Sequence, residues 1–186
     1  TAKERAPVKG TYRGYELIGM APPSSGGFAV IQMLNVLEGF DLKANGYGSA
    51  QNVHLVAESM RRAFADRAQH IGDPDFNESI PLARLISKDY ATQLRKSINP
   101  NKASVSTPTT FSWPTESQET THLSVVDAKR NAVSLTYTLE YGYGSRIVVP
   151  GAGFLLNNEM GDFNSAPEMT DERGNIGTKA NLALPG

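Results

Sequence analysis

The sequence predicts an α+β fold, because helical and strand patterns occupy different parts of the chain. Between residues 26 and 97, apolar side chains recur at three- and four-residue spacing, as on the buried faces of helices. After residue 120 the pattern changes to short runs rich in Val, Thr and Leu, which are typical of strands. A chain of 186 residues is long enough for one domain, or it forms part of a larger one.

Composition and charge exclude several classes of function. The 18 basic and 19 acidic residues nearly cancel, and no block of like charge offers a surface for nucleic acid or an anionic membrane. Cysteine is absent, which excludes disulfides, thiolate metal sites and thiol catalysis. The most apolar segment, residues 28–37, is interrupted by Gln32 and Asn35 and is too short to span a bilayer. We therefore expect a small molecule or another polypeptide as the partner.

A hairpin and a buried helix are the first predicted elements. Residues 10–20 place Tyr, Leu and Ile among three glycines, which suggests a hairpin-like piece. The prolines of "APPSSGG" stop that element, and Ser24 or Ser25 can cap a helix from about Gly26 to Glu38. Apolar residues surround nearly the whole of this helix, so it should be buried. An anion could bind at its start, but the lysine of a phosphate loop is missing, so a tightly packed turn is favoured.

Two further helices follow in the predicted order. Ser49 caps the second helix, which runs to about Ile71 and ends at the Gly-Asp-Pro sequence of residues 72–74. Its apolar face is predicted from Val53, Val56, Ala57, Met60, Ala63 and Phe64. Charged residues are expected on the opposite side or its margins, namely Arg61, Arg62, Asp66 and Arg67. A shorter helix covers Lys88 to Ser97, with Ser87 as its cap.

Four titratable residues lie in or near the second helix, where a metal site is one alternative. His54 and His70 have no histidine or carboxylate at metal-ligand spacing, so a solvated or core-edge position is favoured for both. Asp73 and Asp75 flank Pro74, where a plain turn is favoured over a calcium loop.

A change in composition separates the helices from the strands. Residues 99–119 are rich in Ser, Thr, Pro and Asn, which is typical of an exposed linker. Two strands follow, His122 to Asp127 and Ala132 to Leu139, and "AKRN" between them fits a hairpin turn. A glycine-rich loop then leads to "RIVVP" and "GFLLNNEMGDF", which predict a buried strand followed by an acidic turn.

Thr120 stands where the linker meets the first of these strands. A threonine hydroxyl is a weak nucleophile at neutral pH, and a free α-amine on the same residue can act as its base. Self-cleavage between Glu119 and Thr120 would supply that amine, because the hydroxyl can attack the preceding carbonyl and water can complete the break. Strand alternation places Thr120 on the same face as His122. Thr136 and Thr138 could hydrogen-bond Thr120 if the hairpin register sets them opposite. The alternative is that Thr120 is an ordinary threonine at the start of a strand.

Five motifs follow one another along the chain: "PPSSGG", "GDPDF", "TTHLSVVD", "RNAVSLTYTL" and "YGSRIVVPGAGFLLNNEMGDF". In this order they resemble the γ-glutamyltranspeptidase family. The resemblance extends from about Ala6 to Gly186 and implies the fold of N-terminal-nucleophile hydrolases, a four-layer αββα sandwich made from a self-cleaving precursor. It further implies that residues 1–119 form the end of a large subunit and residues 120–186 the start of a small one.

The resemblance also assigns roles to individual residues. Thr120 matches the nucleophile and new N-terminus, and Thr138 matches a second threonine that supports the nucleophile and maturation. Glu140, Glu159 and Asp162 match positions that bind the α-amino group of the γ-glutamyl substrate. Three acidic groups suit a desolvated ammonium group, so the residue chemistry agrees with these roles.

The implied activity transfers the γ-glutamyl group of glutathione or a related amide, through an ester on Thr120, to water or to an acceptor amino acid or peptide. No metal or organic cofactor is expected. The remainder of both subunits is the expected partner, because the arginine for the substrate carboxylate should lie upstream and the oxyanion donors beyond Gly186. Residues 164–181 correspond to a lid loop, but they contain no aromatic residue that could gate the site. A periplasmic or secreted location follows from the resemblance alone.

Two alternatives remain at this stage. An acylase of the same superfamily would act on a dicarboxylic side chain, such as that of a cephalosporin derivative. Its substrate lacks the α-ammonium group, so the acids at 140, 159 and 162 argue against it. The other alternative is an inactive, unprocessed fragment that serves only in folding or interaction.

Overall fold

The computed structural model describes residues 3–77, 79–105, 120–163 and 179–182. In chain order the elements are β1 (Val8–Tyr12), β2 (Tyr15–Gly19), α1 (Gly26–Leu37), α2 (Leu42–Asn45), α3 (Ala50–His70), α4 (Leu82–Leu85), α5 (Lys88–Lys96), β3 (Thr121–Val126) and β4 (Ala132–Tyr137). Two short 3₁₀ helices follow, Glu159–Asp162 and Lys179–Asn181. The predicted α+β class is confirmed. Glu119, most of the predicted linker and most of the predicted lid loop lie outside the described residues.

Helix α1 lies at the centre of the helical part and packs against α3, α5 and the β1–β2 hairpin. A Cβ atom added at Gly27 would lie 2.3 Å from the carbonyl oxygen of Met20, so the hairpin backbone runs directly against the start of the helix. The backbone N–H of Gly26 donates to Ser24 Oγ, with the two atoms 3.3 Å apart. This close packing favours the tight-turn interpretation of "SSGG" over anion binding.

Two apolar clusters form the core around α1. The first contains Phe28, Ala29, Ala63, Ile71 and Leu85. The second contains Val36, Leu37, Leu55, Ala91 and Ile98. Each cluster joins one end of α1 to a different end of α3, so the two long helices are fixed against each other along their length.

Helix α3 buries a different face from the one predicted. Val53 is 61% exposed and Val56 is also exposed. The buried polar and charged residues of the helix are Glu58, Ser59 and Asp66. Asp66 accepts hydrogen bonds from Gln32 Nε2 at 2.7 Å and from the hydroxyl of Tyr90 at 3.0 Å. Burial raises the pKa of Asp66, although these two hydrogen bonds act in the opposite direction. The predicted exposure of Asp66 was wrong because α1 and α5 supply partners that make its burial possible.

Ser49, Ser87 and the turn after α3 follow the sequence signals, whereas Ser25, at the N-cap of α1, makes no capping hydrogen bond with its side chain. Ser49 Oγ accepts from the N–H of Asn52 at 3.2 Å, as a helix N-cap does. In the turn, the carbonyl of Asp73 accepts from two backbone N–H groups, and Arg5 forms ion pairs with both Asp73 and Asp75. The ion pairs with a basic residue agree with a structural turn.

Strands β3 and β4 form a separate antiparallel hairpin. Its register pairs Thr121 with Tyr137 and Val126 with Ala132. Asp127 closes the turn, since its Oδ1 accepts from the backbone N–H groups of Lys129 and Asn131, each at 2.8 Å. Both strands are exposed along their whole length.

The predicted buried strand in "GFLL" is wrong for the described structure. Only an isolated bridge joins Val148 to Leu155, and Ile147, Val148 and Phe154 are exposed. No element in the described ranges covers these side chains, so an apolar run here does not become core. In those same ranges, none of the helices has both the length and the apolar character needed to cross a membrane.

Candidate active site

Thr120 lies directly before β3 and is exposed. Because Thr121 pairs with Tyr137, continuing the antiparallel register by one residue sets Thr138 opposite Thr120. The sequence had left this register open. The observed register is the one that the nucleophile hypothesis needs.

The face of the hairpin that carries Thr120 is polar. His122 Nδ1 lies 2.8 Å from Thr136 Oγ1, within hydrogen-bond distance. Its other ring nitrogen, Nε2, lies 3.1 Å from the hydroxyl oxygens of both Ser124 and Ser134. Side chains of both strands therefore form one hydrogen-bonded row leading to Thr120, as strand alternation predicted.

Thr138 connects the end of β4 to the acidic 3₁₀ helix. Its Oγ1 accepts from the backbone N–H of Glu140 at 3.0 Å. Thr138 also acts on Glu159, since it lowers the pKa of that carboxyl group, against the effect of burial. A backbone hydrogen bond from Asn158 N to Leu139 O, at 3.1 Å, supports the same connection. The residue opposite Thr120 is thus bonded to one of the predicted substrate-binding acids.

Glu140 is almost fully buried, with 2% of its surface exposed. Its backbone has φ 72°, in the left-handed region that residues other than glycine seldom adopt. Such a conformation costs of order 1 kcal/mol or more, and residues held in it cluster at functional sites. The turn at Glu140 directs the chain out of β4 and towards the acidic 3₁₀ helix.

All three predicted acids gather at this helix. Glu159 and Asp162 occupy its first and last positions, and side chains three residues apart in a 3₁₀ helix lie on the same side. Gly161, between them, faces Glu140, because a Cβ atom there would lie 2.5 Å from Glu140 Oε1. The structure therefore brings Glu140, Glu159 and Asp162 together, and we call these three residues the acid cluster.

The acid cluster carries an excess of negative charge. Burial raises the pKa of Glu159, and so do its hydrogen bond with Asp162 and the charges of Asp162 and Glu140. The buried Oε1 of Glu159 has no hydrogen-bond partner in the described part of the chain. Such a site can stabilise a cation that carries N–H donors, as an ammonium group does.

The described residues contain no group of three or more His, Asp or Glu side chains in an arrangement that could hold a metal ion.

Comparison with known proteins shows the family to which this chain belongs. The sequence profile of γ-glutamyltranspeptidases matches residues 1–186. The chain belongs to the γ-glutamyltranspeptidase family.

Proteins with two different names are similar to this chain. The glutathione hydrolase proenzyme of Pseudomonas sp. (strain A14) is 46% identical over 185 residues, which cover 99% of this chain and 32% of that protein. The acylase ACY 1 proenzyme of Pseudomonas sp. (strain SE83) is 45% identical over 168 residues, covering 88% of this chain and 29% of that protein. The chain thus spans about a third of the length of these relatives.

Solved γ-glutamyltranspeptidases agree with the structure over about half of the chain. The crystal structure of the Helicobacter pylori γ-glutamyltranspeptidase matches with a TM-score of 0.52 and 51% sequence identity. The match covers 54% of this chain and 28% of that one.

The sequence analysis does not single out one residue that orders the candidate site. Asn158 Oδ1 accepts from the backbone N–H of Tyr141 at 3.3 Å, besides the bond from its own N–H to Leu139. Asparagine before a turn is a weak signal, since it is common in loops. Its partner stands 17 positions earlier in the chain, so only the folded structure reveals the contact.

Proposed function

We propose that this chain spans the maturation site of a γ-glutamyltranspeptidase that cleaves itself between Glu119 and Thr120. In this proposal residues 1–119 end the large subunit and residues 120–186 begin the small one. The observation that carries the proposal is the position of Thr138. It lies opposite Thr120 in the continued register, and its Oγ1 accepts from the backbone N–H of Glu140, so the residue opposite the nucleophile is bonded to a member of the acid cluster.

Maturation would start at the hydroxyl of Thr120. Its oxygen attacks the carbonyl carbon of Glu119 and loses its proton, the bond from that carbon to the nitrogen of Thr120 breaks, and the nitrogen takes up the proton. Water then hydrolyses the resulting ester, leaving a carboxylate on Glu119 and a free α-amine on Thr120. This amine is the base that the hydroxyl requires in the next reaction.

In catalysis the Thr120 α-amine accepts the hydroxyl proton while the oxygen attacks the γ-amide carbon of the donor. The proton passes to the leaving amine, and a γ-glutamyl ester forms on Thr120. Water or an acceptor amine then attacks the ester and restores the hydroxyl. The acid cluster holds the α-ammonium group of the donor, which sets the distance between its γ-carbonyl and Thr120.

We propose glutathione and related γ-glutamyl amides as donors, and water, amino acids or peptides as acceptors. The remainder of both subunits would complete the four-layer αββα sandwich and supply the carboxylate-binding arginine and the oxyanion donors. A periplasmic or secreted location is part of the same proposal.

The similarity to acylase ACY 1 favours one second candidate, an acylase that removes a dicarboxylic side chain. The two functions differ in whether the acyl group carries an α-ammonium group. Rates measured with γ-glutamyl and glutaryl anilides separate them, because the glutaryl group has no cation for the acid cluster. We expect the full-length protein to prefer the γ-glutamyl anilide; preference for the glutaryl anilide would establish the acylase instead.

The largest predicted effect of any substitution belongs to Thr120. We expect Thr120→Ala in the full-length precursor to abolish both self-cleavage and γ-glutamyl transfer, because the nucleophile is lost. Intact-mass measurement should give one species for this variant and two for the wild type.

Thr121→Ala is the matched control, since its side chain lies on the other face of β3. It should still give two species. Cleavage of the Thr120→Ala precursor at this bond would refute the assignment of the nucleophile, and an uncleaved wild type would support the inactive-fragment alternative.

A further inference from the structure

The last 3₁₀ helix lies between the end of α3 and the acid cluster. On one side, Asn181 Nδ2 donates to the main-chain carbonyl of Asp162 at 2.9 Å. On the other side, Ala180 contacts Gly72 and Asn77, which follow α3. We call Gly72, Asn77, Ala180 and Asn181 the α3 brace. These contacts link the helical part of the chain directly to one of the three acids.

Gly72 is required by space rather than by backbone conformation. A glycine just after a helix commonly adopts the left-handed conformation, but the φ of Gly72 lies outside that region. A Cβ atom added here would lie 2.9 Å from the carbonyl carbon of Ala180 and closer still to its carbonyl oxygen. Gly72 is also buried. The main chains of the two segments can approach this closely only because residue 72 has no side chain.

Asn77 holds the same carbonyl group from the turn after α3. Its Nδ2 donates to the carbonyl of His70, the last residue of α3, at 3.3 Å and to the carbonyl of Ala180 at 3.4 Å. Its Oδ1 accepts from both the backbone N–H and the hydroxyl of Ser79, at 3.3 and 2.9 Å. An amide oxygen only accepts, so the contacts with Ser79 fix which end of the amide faces Ala180.

The two sides of the α3 brace are anchored to different degrees. Gly72 directly follows Ile71, which belongs to the first apolar cluster and is 6% exposed. Asp162 lies at the end of an exposed 3₁₀ helix, and its carbonyl accepts from Asn181. A displacement at the contact between Gly72 and Ala180 would therefore move residues 179–181 and Asp162 rather than α3.

We propose that the α3 brace positions Asp162 to bind the α-ammonium group of the substrate. Gly72 and Asn77 act as positioning residues, through Ala180 and Asn181. The inference rests on the proposed function of the acid cluster and deepens it, because it gives residues outside that cluster a part in recognising the ammonium group. In the proposed subunit division, the large subunit thereby sets the place of an acid of the small one.

A small displacement of Asp162 is enough to weaken recognition. A hydrogen bond from an ammonium group to a carboxylate is about 2.7–2.9 Å long, so a shift of about 1 Å removes most of its strength. The reacting hydroxyl should be affected less, because Thr120 and Thr138 are placed by the β3–β4 register and not by the α3 brace. The effect should therefore fall on KM more than on kcat.

The experiment uses Gly72→Ala and Asn77→Ala in the full-length protein after maturation. For a γ-glutamyl anilide, Gly72→Ala should raise KM about threefold or more, because the new methyl group displaces Ala180. Asn77→Ala should raise KM about twofold, because one hydrogen bond to Ala180 is lost. For both variants, kcat/KM for the γ-glutamyl anilide should fall relative to kcat/KM for the glutaryl anilide, which has no ammonium group. A smaller amount of folded or matured enzyme would lower both rates alike and leave KM and this ratio unchanged.

Gly26→Ala and Asn45→Ala are the matched controls. A Cβ atom at Gly26 would lie 3.7 Å from Ser24 Oγ, an ordinary van der Waals distance. Asn45 also donates through its Nδ2, but to Asn52 Oδ1 at the start of α3. Both controls should keep the wild-type KM and the wild-type ratio between the two anilides.

A double variant tests whether Gly72 acts through Asp162. When Asp162→Asn has already removed the charge, adding Gly72→Ala should raise KM no further, whereas independent effects would multiply. Multiplied effects, an unchanged KM in matured Gly72→Ala, or equal rises in the controls would overturn the inference. If Gly72→Ala yields no matured enzyme, Asn77→Ala decides, because it only removes atoms. A wild-type enzyme that prefers the glutaryl anilide would instead refute the proposed function, so the two failures are distinguishable.

Discussion

The helical region, residues 8–105, and the hairpin region, residues 120–163, satisfy their side chains in different ways. In the helical region, apolar groups from α1, α3, α4 and α5 close two cores, and buried charges meet partners of this same chain. In the hairpin region, both strands are exposed within the described structure, and acids gather beside one another. The helical region thus closes apolar cores of its own, whereas the hairpin region has surfaces and charges suited to further protein and to a cationic ligand.

Two glutamates show the contrast at the level of single groups. Glu58 is ionised with a pKa of about 2, because donors from Ser104 and Arg62 outweigh its burial. Glu159 has a raised pKa, because burial is reinforced by Asp162 and Glu140 and opposed only by Thr138. A glutamate beside cationic donors is fixed in ion pairs with them. A glutamate beside other acids is suited to a cationic ligand.

A stability measurement tests the contrast most strongly. Phe28→Ala should lower the free energy of unfolding by about 3–5 kcal/mol, because the ring is fully buried between α1, α3 and α4. The same change at Phe154, which is 54% exposed, should cost less than about 1 kcal/mol. Urea unfolding of the 186-residue chain gives both values. Equal losses would mean that the hairpin region has a closed core of its own.

Substrate affinity tests the acid cluster. In the proposed function Asp162 accepts a hydrogen bond from the substrate ammonium, so Asp162→Asn should raise KM for a γ-glutamyl anilide about tenfold, with a smaller change in kcat. Asp127→Asn is the matched control, since Asp127 serves the hairpin turn and binds Lys129 and Asn131. The KM and kcat of both variants are measured by steady-state kinetics of the full-length enzyme. A KM unchanged by Asp162→Asn would remove this residue from the substrate site.

The smallest expected effect is the pH dependence of stability caused by Glu159. Its folded pKa is raised above 4.5, so the fold favours the protonated form. The stability that this provides is present below pH 4.5 and is lost as pH rises through the folded pKa. Glu159→Gln should therefore increase Tm relative to the wild type more at pH 8 than at pH 4. The corresponding gain in the free energy of unfolding should be less than about 1 kcal/mol.

An exposed glutamate in the helical region provides the comparison for this experiment. Glu16→Gln removes a carboxylate of β2 that lies 3.4 Å from Lys9 at the surface. The difference in Tm between this variant and the wild type should not grow with pH in the same sense. A Glu159→Gln protein that gains no Tm at pH 8 would show that the acid cluster is not under electrostatic repulsion.

Local signals predicted the elements that local physics determines. Ser49 and Ser87 cap their helices as expected, and the bounds of α1, α3 and α5 differ from the predicted ones by a residue or two. The β3–β4 hairpin was predicted from Val and Thr runs around a polar turn, although both strands end before their predicted limits. Capping, periodicity and turn chemistry act between near neighbours, so they can be recognised without the fold.

Long-range contacts account for what the sequence pattern missed. Asp66 looked like a surface residue of α3, but Gln32 and Tyr90 from other helices hold it inside. The buried carboxylate of Glu58 likewise accepts a hydrogen bond from Ser104, 46 positions away. The apolar run near Phe154 looked like core, yet no described element covers it. In each case the partner lies far along the chain or outside the described residues.

The sequence by itself determined the α+β class, the positions of the main helices and of the β3–β4 hairpin and, through ordered motifs, the γ-glutamyltranspeptidase family, while the cleavage junction at Thr120 stays a prediction. Only the tertiary structure decided that Thr138 lies opposite Thr120, that Glu140, Glu159 and Asp162 share one site, and that Glu58 holds Ser104. The physical reason is that register, carboxyl proximity and buried ion pairing depend on which distant segments meet. Residue type sets what each group can do, and packing sets which groups act together.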